Sequence, residues 1–192
     1  MVRLISVLCF VAIANISHAQ QSQYSTDNRP LKFNLGLSQT FMSHHPDKNL
    51  YLDGNLEYYT QNNLSLKGNC LWFIDSRLSN PIYKQNVIVL FGSAYHFSKS
   101  SHDLSIGIQP GFTYTTPNYY GIEDYTYSGR MMPALSISTT YTVFFAKYCH
   151  FFLNAQYLIS RYRGTASGSL SLDEFMISGG LGFQIYTKKA SK

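Results

Sequence analysis

Two adjacent histidines, His44 and His45, follow Ser43, and a later Asp75 stands directly before Ser76. A histidine can serve as base for a serine hydroxyl, so these four residues could support acyl transfer if the fold brought them together. The histidine pair has no spaced third ligand and makes a poor zinc signature. No metal and no cofactor is expected. A second set is electrostatic: Glu57 and Lys67 lie symmetrically about Asn62, and Asp53 shares their parity. Across a hairpin centred on Asn62 they would be direct partners, a charge pair inside whatever the strands enclose. A third set is Arg130, Arg161 and Arg163, whose planar forks suit phosphate. The stretch TTPNYYGIEDYTYSGR adds Tyr119, Tyr120, Tyr125 and Tyr127, rigid amphipathic side chains of the kind binding loops use.

The elements that must position these residues are strands. In LKFNLGLSQTF, residues 31–41, Leu31, Phe33, Leu35, Leu37 and Phe41 alternate with polar or small residues. That is the period of a β-strand with two unlike faces. The same pattern recurs at 50–59, 64–74, 87–97, 104–114, 135–145, 151–161 and 175–186. No segment keeps a helical period. About eight strands of about ten residues or more exceed the five or six usual in globular sheets and match the nine to eleven that cross a bilayer at a tilt. The connections alternate. Those at 60–63, 98–103 and 146–150 are short, and those at 75–86, 115–134 and 162–174 are longer. Short turns on one side and longer loops on the other are the asymmetry of an outer-membrane barrel, which would put both chain ends in the periplasm.

The polar faces select lipid over water as the outer solvent. A soluble barrel would carry many Lys and Glu outside. Here charged residues are 13% of the chain, and the polar faces are Asn, Ser, Thr, Gln and Gly. Gly36, Gly92, Gly107, Gly111, Gly180 and Gly182 fall on that face and would leave room for larger neighbours across a narrow lumen. The apolar faces end in aromatics such as Phe41, Tyr58, Trp72, Tyr95, Tyr114 and Phe175, as in interfacial girdles. In lipid the sheet must close on itself, and eight strands enclose space for side chains only. The expected fold is all-β: a closed antiparallel up-and-down transmembrane barrel with a packed polar lumen and no general diffusion pore. A soluble calycin-like barrel around a small apolar ligand is the alternative architecture.

The opening residues MVRLISVLCFVAIANISHA have one positive charge, an apolar run and small residues before Gln20. They read as a cleaved secretory signal peptide, residues 1–19. Residues 20–30 read as a flexible periplasmic leader, 31–187 as the barrel and 188–192 as a basic tail. Cleavage removes only Arg3, so the formal charge falls from +5 to +4. Basic residues do not cluster except at the end, which leaves no nucleic-acid footprint. Cys70 and Cys149 would meet an oxidising compartment but lie on distant strands, so no disulfide is expected between them. His96 and His150 are expected to be ordinary turn residues.

Strand count, alternation, loop asymmetry and the closing strand FMISGGLGFQIY together resemble the small eight-stranded outer-membrane barrels of Gram-negative bacteria, the OmpA/OmpX type. The resemblance spans residues 31–187 and rests on no single residue motif; the Gly- and Tyr-rich style looks like the Bacteroidota members. It implies a porin-like chain in the cell outer membrane with a structural or surface role. The implied partners are outer-membrane lipid and lipopolysaccharide, the barrel-insertion machinery and a partner at the cell surface. The placement of His44 or His45 and of Asp75–Ser76 in outer loops also resembles the lipid A palmitoyltransferase barrel, though that family's amphipathic leader helix is missing. Residues 20–30 contain nothing like it. An acyl-modifying enzyme is therefore the other alternative, and a non-enzymatic role is the main expectation. Signal processing makes a direct prediction: N-terminal sequencing of the membrane-extracted protein starts at Gln20, and an intact Met1 end contradicts the signal-peptide assignment.

Overall fold

The computed structural model describes residues 28–61, 63–77, 82–118, 129–165 and 168–188. Nine strands run β1 (Asn28–Met42), β2 (Lys48–Gln61), β3 (Leu64–Ser76), β4 (Tyr83–Lys99), β5 (His102–Pro117), β6 (Arg130–Phe144), β7 (Cys149–Thr165), β8 (Gly168–Ser171) and β9 (Glu174–Lys188). Eight of them form one antiparallel ring, because each neighbour in sequence pairs with the next, β6 pairs with β7, and β9 pairs with both β7 and β1. The short β8 adds to the outer end of β7. The closed ring leaves no sheet edge through the span, as backbone polarity in lipid requires.

The closing ladder runs from Asn28↔Lys188 to Met42↔Glu174. It therefore begins three residues before the predicted boundary: Asn28, Arg29 and Pro30 belong to β1 rather than to a flexible leader. The expected signal peptide, residues 1–19, the rest of the expected leader and residues 189–192 lie outside the described residues. Three turns at one end are short, and β4 reaches β5 through Ser100 and Ser101 alone. That tight reversal holds Ser100 at φ 56°, in the left-handed region that such two-residue hairpins demand.

Parity settles which face meets which solvent. Leu35 is 49% exposed and Asn34 beside it 3%. The same sense holds round the ring, with Phe91, Ile137, Phe151 and Leu181 outside and Asn69, Gln109, Ser138 and Ser178 inside. From Leu31 to Phe41 the apolar belt stands roughly 25 Å tall for strands tilted about 40°. An exposed belt of that height is costly in water and stable in hydrocarbon, so the soluble carrier is excluded.

The glycines act differently from expectation at four positions. Gly36 and Gly180 are register partners at the closing seam. A Cβ on Gly36 would strike the Gly179 carbonyl, and one on Gly180 the Leu35 carbonyl. Across the barrel, a Cβ on Gly92 would strike the Ile108 carbonyl and one on Gly111 that of Val89. These residues let neighbouring backbones approach at two corners on opposite sides of the ring. They do not mainly clear space across the lumen. Gly182 instead makes room for the side chains of its two flanking partners, since its Cβ would overlap Asn34 and the His150 ring.

The seam predicts opposite outcomes for adjacent glycines. Gly180→Val abolishes the heat-shifted folded band on a gel, because its side chain would occupy the β1 backbone. Gly179→Ala retains it, because a Cβ there meets only ordinary contacts beyond 3.6 Å. Equal folding of both variants contradicts the tight seam.

Candidate functional site

The lumen is layered. At the short-turn end the inward parity of β1 to β5 brings Lys32, Glu57, Tyr59, Ser65, His96 and Asp103 together, all buried. Lys32 Nζ donates to Asp103 Oδ2 at 2.9 Å and to the Tyr59 hydroxyl. His96 places Nδ1 2.9 Å from Asp103 Oδ2 and Nε2 3.0 Å from Glu57 Oε1. An imidazolium, which donates from both nitrogens, satisfies both carboxylates. Ser65 Oγ donates to Glu57 Oε1 at 2.7 Å, and Ser98 Oγ to Asp103 Oδ1 at 2.6 Å. Lys32 also lies over the Tyr59 and Phe144 rings. With His96 charged, Lys32 and His96 meet Glu57 and Asp103 in three ion pairs. Pairing of this kind makes buried charge tolerable.

Ser65, His96 and Asp103 have the connectivity of a hydrolytic triad, with Ser65 Oγ 2.9 Å from His96 Nε2. The arrangement does not work as one. Glu57 takes both the serine proton and Nε2, and Ser65 is fully buried, with no room for a substrate carbonyl. The cluster occupies the short-turn half of the lumen.

Glu57 and Lys67 are Cα partners across the β2–β3 hairpin and both point inward. They do not bond each other: Lys67 Nζ donates to Thr140 Oγ1 at 2.9 Å, which in turn donates to Asn154 Oδ1 at 2.8 Å. The predicted pair is thus divided between neighbours that reach further across the lumen. Asp53 is also buried and inward.

The upper half departs from the expected polar lumen. Tyr51, Leu71, Ile88, Leu90, Leu158 and Met176 pack into an apolar cluster. Above it Met42, Tyr83, Met132, Tyr162 and Leu172 form a second. A buried Glu174 sits among them, accepting from Tyr83 at 2.6 Å and Tyr51 at 3.2 Å. A narrow barrel must fill its interior, and here large apolar side chains do so beside buried polar ones such as Thr40, Asn49, Asn86 and Thr115.

The loop residues do not assemble as an acyl-transfer site. His44 leans toward Asp173, 3.9 Å away, on the β9 side of the first loop. Ser76 Oγ donates to the Lys48 carbonyl on the β2 side, and Asp75 accepts from the Ser76 amide. His45 lies in the first loop. Tyr119, Tyr120, Tyr125 and Tyr127 lie outside the described residues. Arg130, Arg161 and Arg163 are exposed at the long-loop rim, and Arg130 Nη1 donates to the Arg163 carbonyl at 3.2 Å. Cys70 and Cys149 are both free, on the non-adjacent β3 and β7.

His96 and His150 correct the expectation of turn residues: both are buried lumen groups, and His150 Nε2 meets Asn34 Oδ1 at 2.5 Å. Lys32, Tyr59, Asp103 and Glu174 were not singled out. Parity alone, extended one residue beyond each predicted strand, places Asp103 and Glu174 inside.

An apolar belt outside, a plugged lumen inside and eight meandering strands define the class as the eight-stranded outer-membrane β-barrel. The chain is similar in fold to neisserial surface protein A, with TM-score 0.59 and 11% identity over 81% of this chain and 96% of that one. It is likewise similar to outer-membrane protein OprG of Pseudomonas aeruginosa (0.57, 7%, 85% and 99%) and to Ail of Yersinia pestis (0.50, 10%, 84% and 100%). No protein-family model and no curated protein matches the chain.

The plug predicts a large, local stability effect. Asp103→Ala leaves Lys32 and His96 short of their shared acceptor and destabilises the barrel by about 3–5 kcal/mol in urea unfolding from vesicles. Arg161→Ala at the exposed rim costs about 0.5 kcal/mol or less. Similar effects from the two would contradict the plug.

Proposed function

We propose that the protein stands in the outer membrane as a closed structural barrel and acts through its long-loop end at the cell surface. The observation that carries this reading is the double plug. A charged network occupies the short-turn half and two apolar clusters the long-loop half, which supports a filled lumen rather than an open pore. What can meet a partner is then the outer rim and its loops, with Arg130, Arg161 and Arg163 exposed there. These arginines suit the phosphates of lipopolysaccharide or another polyanion. One structural neighbour, Ail, is known in complex with the heparin analogue sucrose octasulfate, an anionic ligand of related chemistry. The barrel-insertion machinery is the partner expected during assembly, and the short turns then face the periplasm.

Orientation tests the reading. An epitope inserted between residues 119 and 128 is stained on intact cells, and one inserted between Ser100 and Ser101 only after permeabilisation. The reverse pattern would place the arginine rim in the periplasm and end the surface role.

A further inference from the structure

The β4–β5 wall carries a groove on its lipid side. Ser93 has outward parity within the apolar belt, with Leu66 as its partner on β3 and Ile108 on β5. Its small side chain leaves a groove of about 290 Å³, walled by Leu64, Tyr95, Ile106 and Ile137. The register pair Ala94 and Gly107 forms the floor. Register also fixes the depth of this groove. From Ser93↔Ile108 the outward pairs run through Tyr95↔Ile106 and Phe97↔Leu104 to Lys99↔His102 at the turn. Six residues of strand cover roughly 20 Å, or about 15 Å of depth at a tilt of about 40°. That is half of a hydrocarbon core about 30 Å thick. The groove therefore lies within the leaflet on the short-turn side, and Lys99 and His102 stand at the head groups of that leaflet.

Charge at this end has one sign. Lys99 and Lys147 are exposed on two of the short turns, and Arg29 and Lys188 lie in the last rungs of the β1–β9 ladder there. The described carboxylates at the same end, Glu57 and Asp103, are buried in the lumen network. Asp75, Asp173 and Glu174 belong to the opposite end. The exposed His102 ring adds a donor beside Lys99. Its Nδ1 lies 2.7 Å from the Tyr141 hydroxyl, and the two rings stack. With that hydroxyl donating to Nδ1, Nε2 carries the ring proton at the rim. An ammonium and an imidazole N–H placed above an apolar groove match an anionic head group with a hydrocarbon tail. We propose that the β4–β5 wall holds one anionic phospholipid of the leaflet on the short-turn side. Its phosphate rests on Lys99 and His102 Nε2, and one acyl chain lies along the groove past Tyr95 to Ser93. That this leaflet is the periplasmic one rests on the orientation proposed above, which the epitope experiment tests separately; binding in micelles does not depend on it.

The test is native mass spectrometry of the full-length protein in nonionic detergent, titrated with dioleoyl phosphatidylglycerol or with dioleoyl phosphatidylcholine. Each variant is first shown to keep its heat-shifted folded band. The wild type retains a first phosphatidylglycerol about tenfold more tightly than phosphatidylcholine, whose choline offsets the phosphate charge. Lys99→Gln with His102→Gln removes that preference. Ser93→Leu fills the groove with an apolar side chain and weakens retention of both lipids about fivefold or more. Lys147→Gln, on a turn away from the groove, changes neither. Equal retention of the two lipids by the wild type overturns the site. So does a loss from Lys147→Gln as large as that from the Lys99 and His102 pair, because the basic end would then attract lipid diffusely. Retention that Ser93→Leu leaves unchanged overturns the groove as the seat of the chain.

Discussion

A backbone amide in hydrocarbon has no water to bond, and each unpaired group costs several kcal/mol. The ring of ladders from β1 through β7 and β9 answers that constraint, and the rest of the molecule follows from it. Once the sheet closes, its outward residues meet lipid and must be apolar. Its inward residues must fill a space only side chains wide. Closure over eight strands also forces tight bending, and the paired glycines at the β1–β9 and β4–β5 corners are where the backbones meet most closely.

The filling of the lumen is a second consequence, and it takes two chemical forms. Near the short turns the strands contribute charges from five directions, and the charges settle each other: His96 lies between two carboxylates and Lys32 between Asp103 and two aromatic rings. Near the loops two apolar clusters join buried polar groups, among them Glu174, held by two tyrosine hydroxyls, and Asn86, which bonds Tyr51 and Thr115. Toward the loops the walls shorten, the β6–β7 ladder ending at Ala134↔Ser160 and the β3–β4 ladder at Trp72↔Val87.

Much of this was legible in the sequence because a two-solvent environment writes a period of two into every strand. Leu31 to Phe41 reads directly as an outward stripe, and Glu57 opposite Lys67 follows from counting about Asn62. The reading weakened where the period was masked. In β4 the inward residues Ile88 and Leu90 are as apolar as the outward Val87 and Val89, so parity did not mark the inward face, and His96, inside the 87–97 segment, reads as a turn residue near its end. Asp103 and Glu174 each sit one residue outside the predicted strands. Bond partners were beyond reach for another reason. Lys67 bonds Thr140 on a strand three places away in the ring, and such crossings depend on shear rather than on parity. The loop residues His44, Asp75 and Ser76 gave a chemically sensible set that the fold draws apart, since residue type carries no information on loop path.

Trp72 is the single tryptophan of the chain and projects from β3 into the apolar belt, 53% exposed. Its fluorescence in vesicles therefore reports directly on whether the apolar face meets lipid. The account predicts blue-shifted emission that brominated phospholipids quench strongly and aqueous iodide does not. Emission quenched by iodide and indifferent to brominated lipid would place Trp72 in water and contradict the membrane-spanning barrel.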